Sequence, residues 1–126
     1  MTRVIASEDC GNSPKNKFLE KLTVAFAEGN AGFILGSVTD DIRWNIVGGR
    51  LVQGKDDFAL ALRGMKNDKV VELTIDHVAT HGRAGAVNGT RKSKNGKRRA
   101  FCDVYEFSGA KGTSVKEITS YVIEIE

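Results

Sequence analysis

From Val70 to the C-terminus the chain shows no helical period. VVELTIDHVAT, RAGAVNGTRKS, KRRAFCDVYEFSG and SVKEITSYVIEIE alternate apolar and polar residues over most of their lengths. That period of two belongs to strands with one dry face. Between the second and third runs sits Asn95-Gly96. This dipeptide favours a two-residue type I′ hairpin, because both central positions of that turn need positive φ. A long antiparallel sheet in the second half therefore dominates the fold. One of its faces must be covered by something else.

The first half supplies the cover. Ser13-Pro14 reads as a helix start, with serine as cap and proline in the first turn. Phe18, Leu22, Ala25 and Phe26 then recur at helical spacing, and Gly29-Asn30 ends the run. NAGFILGSV is a second, short helix. In DDIRWNIVGG, Ile42, Trp44 and Ile46 alternate with Arg43 and Asn45, which predicts a strand, and RLVQG is its short return. KDDFALALRGM is a third helix. Residues 1–12 read as a flexible N-terminal tail and residues 13–126 as one domain. The class is α+β, with helices covering one face of a curved antiparallel sheet.

At 126 residues the chain can bury a proper core without staples. It holds no apolar run of signal-peptide or bilayer-spanning length, so a cytoplasmic protein is expected. Two cysteines make no disulfide framework. Cys102 reads as a reduced thiol acting as a small apolar residue. His77, His81 and the cysteines lack zinc-ligand spacing, so neither a metal nor another cofactor is expected. The net charge of +3 is local: RKSKNGKRR, residues 91–99, holds six of the 19 basic residues and no acid. The rest of the chain has 13 basic residues against 16 acidic ones, a net of −3. No aromatic residue interleaves with those cations. The segment reads as a solvated hairpin tip and argues against nucleic acid as a partner.

One stretch breaks the alternation rule in an informative way. In FCDVYEF, residues 101–107, Asp103 shares a face with Phe101, Tyr105 and Phe107. A two-residue loop at Asn95-Gly96 sets Asn88 against Asp103, Thr90 against Phe101 and Ala86 against Tyr105. Facing side chains then lie roughly 5 Å apart at Cβ. Ala86, Asn88 and Thr90 are small, which predicts a hollow in front of the carboxylate. Burial there raises the carboxyl pKa; the neutral acid could donate a hydrogen bond and the charged form could act as a base. The plainer alternative is a structural carboxylate satisfied by Asn88 or by backbone groups. Trp44 reads as a pocket wall or as plain core. Tyr105 reads as a hydroxyl donor or a core aromatic with a wet tip. His77, on one face with Val71, Leu73 and Ile75, reads as a general base or as an edge residue with a solvent partner.

The order of elements resembles the nuclear transport factor 2-like superfamily, a cone-shaped α+β fold also described as a cystatin-like α+β barrel. The landmarks are AEGN closing the first helix, TDDIRW opening the first strand, and the tail CDVYEFSGAKGTSVKEITSYVIEI. The resemblance runs from about residue 16 to the C-terminus. The superfamily includes ketosteroid isomerases, SnoaL-like polyketide cyclases, limonene epoxide hydrolases, scytalone dehydratases and non-catalytic binding proteins. Against ketosteroid isomerase, the resemblance places the protonated oxyanion-hole aspartic acid at Asp103. It places the catalytic tyrosine at Leu22 and the general-base aspartate at Ile46, and neither leucine nor isoleucine moves a proton. The resemblance also turns Ser120 inward and adds it, with Phe26, to the substrate-binding set of Trp44, Asn88 and Tyr105. It implies a small-molecule pocket protein, a lyase, isomerase or cyclase working on a hydrophobic or cyclic substrate through Asp103, with His77 kept from the strand pattern as the second catalytic candidate. The alternative it leaves is a non-catalytic ligand-binding or protein-interaction module. It further implies a homodimer joined through the sheet face that carries Tyr121 and Ile123.

Overall fold

The computed structural model describes residues 2–7, 13–65 and 69–126. Helix α1 spans Pro14–Glu28. Its cap is Ser13, whose hydroxyl accepts the Asn16 N–H at 3.1 Å, satisfying one of the donors a helix start leaves free. It buries Leu19, Leu22, Thr23 and Ala25. Helix α2, Ala31–Gly36, follows directly, with the Asn30 side chain accepting the Phe33 N–H at 3.2 Å. Strands β2 (Val38–Ile46) and β3 (Leu51–Gln53) form a hairpin, and α3 spans Lys55–Met65. Asp56 and Asp57 lie in the first turn of α3, where the helix dipole favours negative charge. The chain ends in β4 (Val70–His81), β5 (Ala84–Ser93), β6 (Arg98–Phe107) and β7 (Val115–Ile125).

Among the described residues the strands, with β1 (Arg3–Ala6) near the N-terminus, form one curved seven-stranded sheet in the order β1-β4-β5-β6-β7-β2-β3. The β4 to β7 run is antiparallel, while β2 joins β7 in parallel. The sheet stays open, with β1 and β3 at its edges. The helices lie on the inner face. Leu19 and Leu22 of α1, Ile34 of α2, and Phe58 and Leu62 of α3 join Ile42, Trp44, Leu73, Ile75, Val87, Tyr105 and Ile118 in one core. Among the described residues no helix is long and apolar enough to cross a membrane.

Strand β1, Arg3–Ala6, lies in the segment expected to be a flexible tail. It pairs in parallel with the edge of β4, Arg3 beside Glu72 and Ala6 beside Ile75. Its side chains are all exposed, so it buries nothing that a hydrophobic pattern could reveal. What holds it is the backbone ladder, with the Ser7 N–H donating to the Ile75 carbonyl at 3.2 Å and the Thr2 hydroxyl to the Val70 carbonyl at 2.7 Å. The rest of the expected tail, residues 8–12, lies outside the described residues.

Two irregularities overturn the sequence-derived register. The first is the hairpin turn. The Gly96 N–H donates to the Ser93 carbonyl at 2.9 Å, and the Ser93 N–H donates to the Lys97 carbonyl at 2.9 Å. Gly96 has φ +89°, and among the described residues no non-glycine residue has positive φ. This is a three-residue loop, a turn closed by a left-handed glycine bulge, rather than the two-residue type I′ turn. The Asn95 side chain contributes by accepting the Lys97 N–H at 3.0 Å. The added loop residue slides β6 by one position, so Asp103 pairs with Val87, Asn88 with Cys102 and Phe101 with Gly89. A slip of one residue moves side chains to the opposite face. Ala86, Asn88 and Thr90 therefore point outward, and Gly85, Val87, Gly89 and Arg91 share the inner face with Asp103.

The second irregularity is a bulge at Asp76. Ile75 pairs with Gly89 but His77 pairs with Asn88, leaving one unmatched residue in β4. Past the bulge the parity of β4 reverses, so His77 leaves the face of Leu73 and Ile75 and joins Asn88 outside. Gly89 makes the bulge possible. A Cβ there would collide with the Thr74 carbonyl oxygen and crowd the Ile75 backbone. Because the obstructing atoms are backbone, they cannot rotate away. Gly89→Ala is expected to destabilise the protein by about 3 kcal/mol or more. Gly109→Ala, where an added Cβ meets nothing within 4 Å, serves as the near-neutral control. Chemical denaturation of both variants checks this; equal midpoints would show that the bulge tolerates a side chain.

Candidate functional site

Strand pairing places Asp103 between Val87 of β5 and Ser120 of β7. All three face the helices. From the neighbouring strand β2, Trp44 reaches the same spot, and its Nε1–H donates to Ser120 Oγ at 2.9 Å. With its oxygen accepting from the indole, the Ser120 hydroxyl is free to give its own proton to Asp103, its side-chain hydrogen-bond partner. The result is a directed chain of donors, from indole to hydroxyl to carboxyl, set in an apolar wall. Ser120 and Trp44 are both buried. Asp103 keeps a little exposed surface, but its carboxyl group is packed nearly as densely as the interior. Burial raises its pKa above the ordinary value; the Ser120 hydrogen bond and the Arg91 cation offset part of that rise.

Tyr105, two residues along β6, is fully buried. Thr23 Oγ1 of α1 is the acceptor beside its hydroxyl, in a geometry looser than an ordinary hydrogen bond. Burial and the Asp103 charge push the phenol well above its usual pKa, with Thr23 of α1 pulling it slightly the other way. Thr23 Oγ1 gives its proton to the Leu19 carbonyl at 2.8 Å and offers only lone pairs inward. A buried hydroxyl so loosely held incurs part of the roughly 1–3 kcal/mol that an unmade hydrogen bond costs.

Of the residues singled out from sequence, Asp103, Trp44, Tyr105 and Ser120 form one cluster. Phe26 adjoins it, its ring 5.7 Å from Trp44 and 6.4 Å from Phe58. Asn88 and His77 do not belong to it. They meet on the outer face, where His77 Nδ1 and Asn88 Oδ1 are 2.9 Å apart. They cannot orient Asp103 or exchange a proton with it through the sheet. The hollow expected before Ala86 and Thr90 also falls on that outer side. Arg91 and Thr23 were missed. Arg91 was counted with the hairpin tip, although its parity with Val87 puts it on the inner face once the loop has three residues. Thr23 belongs to the buried helical stripe of Leu19, Leu22 and Phe26, and its position there was the available signal. Among the described residues no group of histidine, cysteine or carboxylate side chains could hold a metal ion.

A pocket of about 580 Å³ opens where the C-terminal end of α1 meets α2, α3 and the start of β4. Phe26, Ala31, Ile34, Leu62, Met65 and Val70 supply its apolar lining. Asp103 does not line it. Phe26 is the partition, lining the pocket and also touching Trp44, which leads through Ser120 to Asp103.

The raised pKa of Asp103 has a definite consequence for stability. Between the ordinary value of 3.8 and the raised folded value, the native state holds the proton more tightly than the unfolded chain. Stability from this group is therefore present at low pH and is lost as pH rises through the folded pKa. Asp103→Asn, which keeps an acceptor for Ser120, is expected to melt higher than wild type at neutral pH. Its advantage should vanish below the ordinary carboxyl pKa, where both side chains are neutral. Melting temperatures across a pH series check this. A wild type that is the more stable at neutral pH would show a charged Asp103 paired with Arg91.

Comparison with known proteins agrees with this architecture. The model of the SnoaL-like domain family matches residues 19–115. No curated protein sequence matches significantly. Among solved structures, a nuclear transport factor 2-like protein of unknown function from Cytophaga hutchinsonii is 27% identical, with TM-score 0.67 over 85% of this chain and 97% of that one. A putative ketosteroid isomerase from Kribbella flavida superposes with TM-score 0.73 at 13% identity, over 89% of this chain and 79% of that one. An LEH-like epoxide hydrolase from M. tuberculosis gives TM-score 0.70 at 19% identity, covering 85% and 80% of the two chains. At these last two identities the likeness is one of fold. With the family model matching from α1 to the first residue of β7, this chain belongs to the SnoaL-like domain family.

Proposed function

We propose that the protein holds a small, largely apolar or cyclic molecule between its helices and the inner sheet face, with Asp103 as a neutral acid donating a hydrogen bond to an oxygen of that molecule. The observation that carries this reading is the Trp44–Ser120–Asp103 chain with the loosely held Tyr105 hydroxyl beside it. A buried carboxyl group whose charge is disfavoured, beside a loosely held phenol, is costly in a finished core and useful in front of a ligand oxygen. An acid held neutral in an apolar site can stabilise charge as it develops on that oxygen, as an isomerase, lyase or cyclase requires. The fold neighbours described as a ketosteroid isomerase and an epoxide hydrolase are compatible with this chemistry. A second reading, ligand binding without turnover, has its own support. Among the described residues the cluster offers no base besides Asp103 itself: by the resemblance Leu22 and Ile46 fall where ketosteroid isomerase has its tyrosine and aspartate, and His77 is on the far side of the sheet.

Titration with cyclohexenone, followed by calorimetry and by emission of the single tryptophan, tests the pocket reading. Asp103→Leu is expected to weaken binding roughly 5- to 30-fold, the worth of one buried hydrogen bond. Unchanged affinity would remove Asp103 from the site. Asp103→Asn separates the two readings. Loss of turnover with binding retained indicates catalysis, and loss of affinity alone indicates a binder.

We also propose that the outer sheet face joins a second copy of the chain. Val104, Tyr121 and Ile123 project from it, with Ile123 68% and Tyr121 47% exposed, a large apolar area for a lone subunit to leave in water. Sedimentation at micromolar concentration should give the mass of a dimer, and Ile123→Glu that of a monomer. A wild-type monomer would refute the interface.

A further inference from the structure

The pocket has two unlike rims. On the α1 side stand Glu28 and the carbonyl end of the helix, both negative. On the β4 side stand Lys69 and Val70. The basic hairpin is tied to that second rim, since the Lys94 N–H donates to the Lys69 carbonyl at 2.9 Å and Val70 pairs with Ser93. Lys69, Lys92, Lys94 and Lys97 are all exposed. None of the four has a carboxylate partner among the described residues. The acid of that sheet end that is paired, Glu72, is taken by Arg3 at 3.9 Å. A lone solvated tip would explain charges that sit away from any cavity. Here Lys69 lines an apolar pocket with Lys94 tied beside it through the backbone, and neither has a carboxylate partner among the described residues.

We infer that the ligand of this pocket is an amphipathic anion, with an apolar body against Ile34, Leu62 and Met65 and a carboxylate or phosphate head at the Lys69 rim. The inference rests on the reading that the pocket binds a small molecule, and it adds the charge and orientation of that molecule. A volume of about 580 Å³ lies within the ordinary range for small-ligand sites. The lysines are point charges on flexible stems, suited to an anionic head of either kind. Glu28 across the opening repels the head from the wrong side and so sets the direction of entry.

Decanoate, decanol and decylammonium share one chain and differ in head charge, and calorimetry of each against the whole protein tests the inference. Decanoate is expected to bind at least about tenfold more tightly than decanol, and decylammonium more weakly than either. The preference should fall severalfold in Lys69→Gln and further in the Lys69→Gln, Lys94→Gln double variant, and it should shrink as salt rises. Those lysines are solvated, so melting temperatures should stay near wild type. Ala31→Phe, which fills the pocket from its wall, should weaken all three probes together. Decanol binding as tightly as decanoate would overturn the anionic head and leave the pocket reading standing. Failure of all three probes would overturn the pocket reading itself. Decanoate binding that ignores Ala31→Phe but is lost in the lysine variants would place the anion on the hairpin surface, outside the pocket, and would also overturn the inference.

Discussion

Everything at the site follows from one extra residue in a turn. The loop after Ser93 contains Lys94, Asn95 and Gly96, with Gly96 in the left-handed region, and this sets β6 one position along from where a two-residue turn would leave it. Because side chains alternate, that position decides which partner each β6 residue meets. It puts Val87 and Ser120 on either side of Asp103, and Gly89 beside Phe101. It also turns Arg91 toward the interior, near enough to act on the carboxyl group.

The polar chain through Trp44, Ser120 and Asp103 sits in a wall that is otherwise apolar. Such a chain stabilises a fold only when every member is satisfied. This one ends at a carboxyl group whose charge is disfavoured by burial, next to a phenol that Thr23 holds only loosely. Hydrophobic residues of similar shape would pack the same space without that cost. Carrying the cost is a common feature of sites that wait for a ligand, where local stability is exchanged for readiness to bind. The partition at Phe26 fits the same view, since it stands between an apolar pocket and a polar end group.

The outer face tells a different story. His77, Asn88, Cys102 and Tyr121 lie in one row across β4 to β7. Cys102 is a free thiol there, its pKa raised by burial and by Asp103, and it has nothing of the electropositive setting that activates a cysteine. Histidine and asparagine satisfy each other. On the same face β7 leaves Tyr121 and Ile123 exposed.

Much was legible without coordinates. The class, the three helices, the inward turn of Trp44, Tyr105 and Asp103, and the burial of the carboxyl group all follow from local periodicity, and periodicity is a property of neighbouring residues. Capping at Ser13 and Asn30 is equally local. The register was another matter. Whether Asn95-Gly96 closes a two- or a three-residue loop differs little in local energy, and packing of β6 on β5 and β7 makes the choice. The bulge at Asp76 exists because Gly89, on another strand, leaves room for the Thr74 carbonyl. Strand β1 forms because β4 offers an unpaired edge, and its side chains bury nothing. The sequence by itself determined which residues are dry and which elements they build. The tertiary structure alone decided who faces whom, because pairing energy is spread over many residues far apart in the chain while the turn that selects among pairings contains only three.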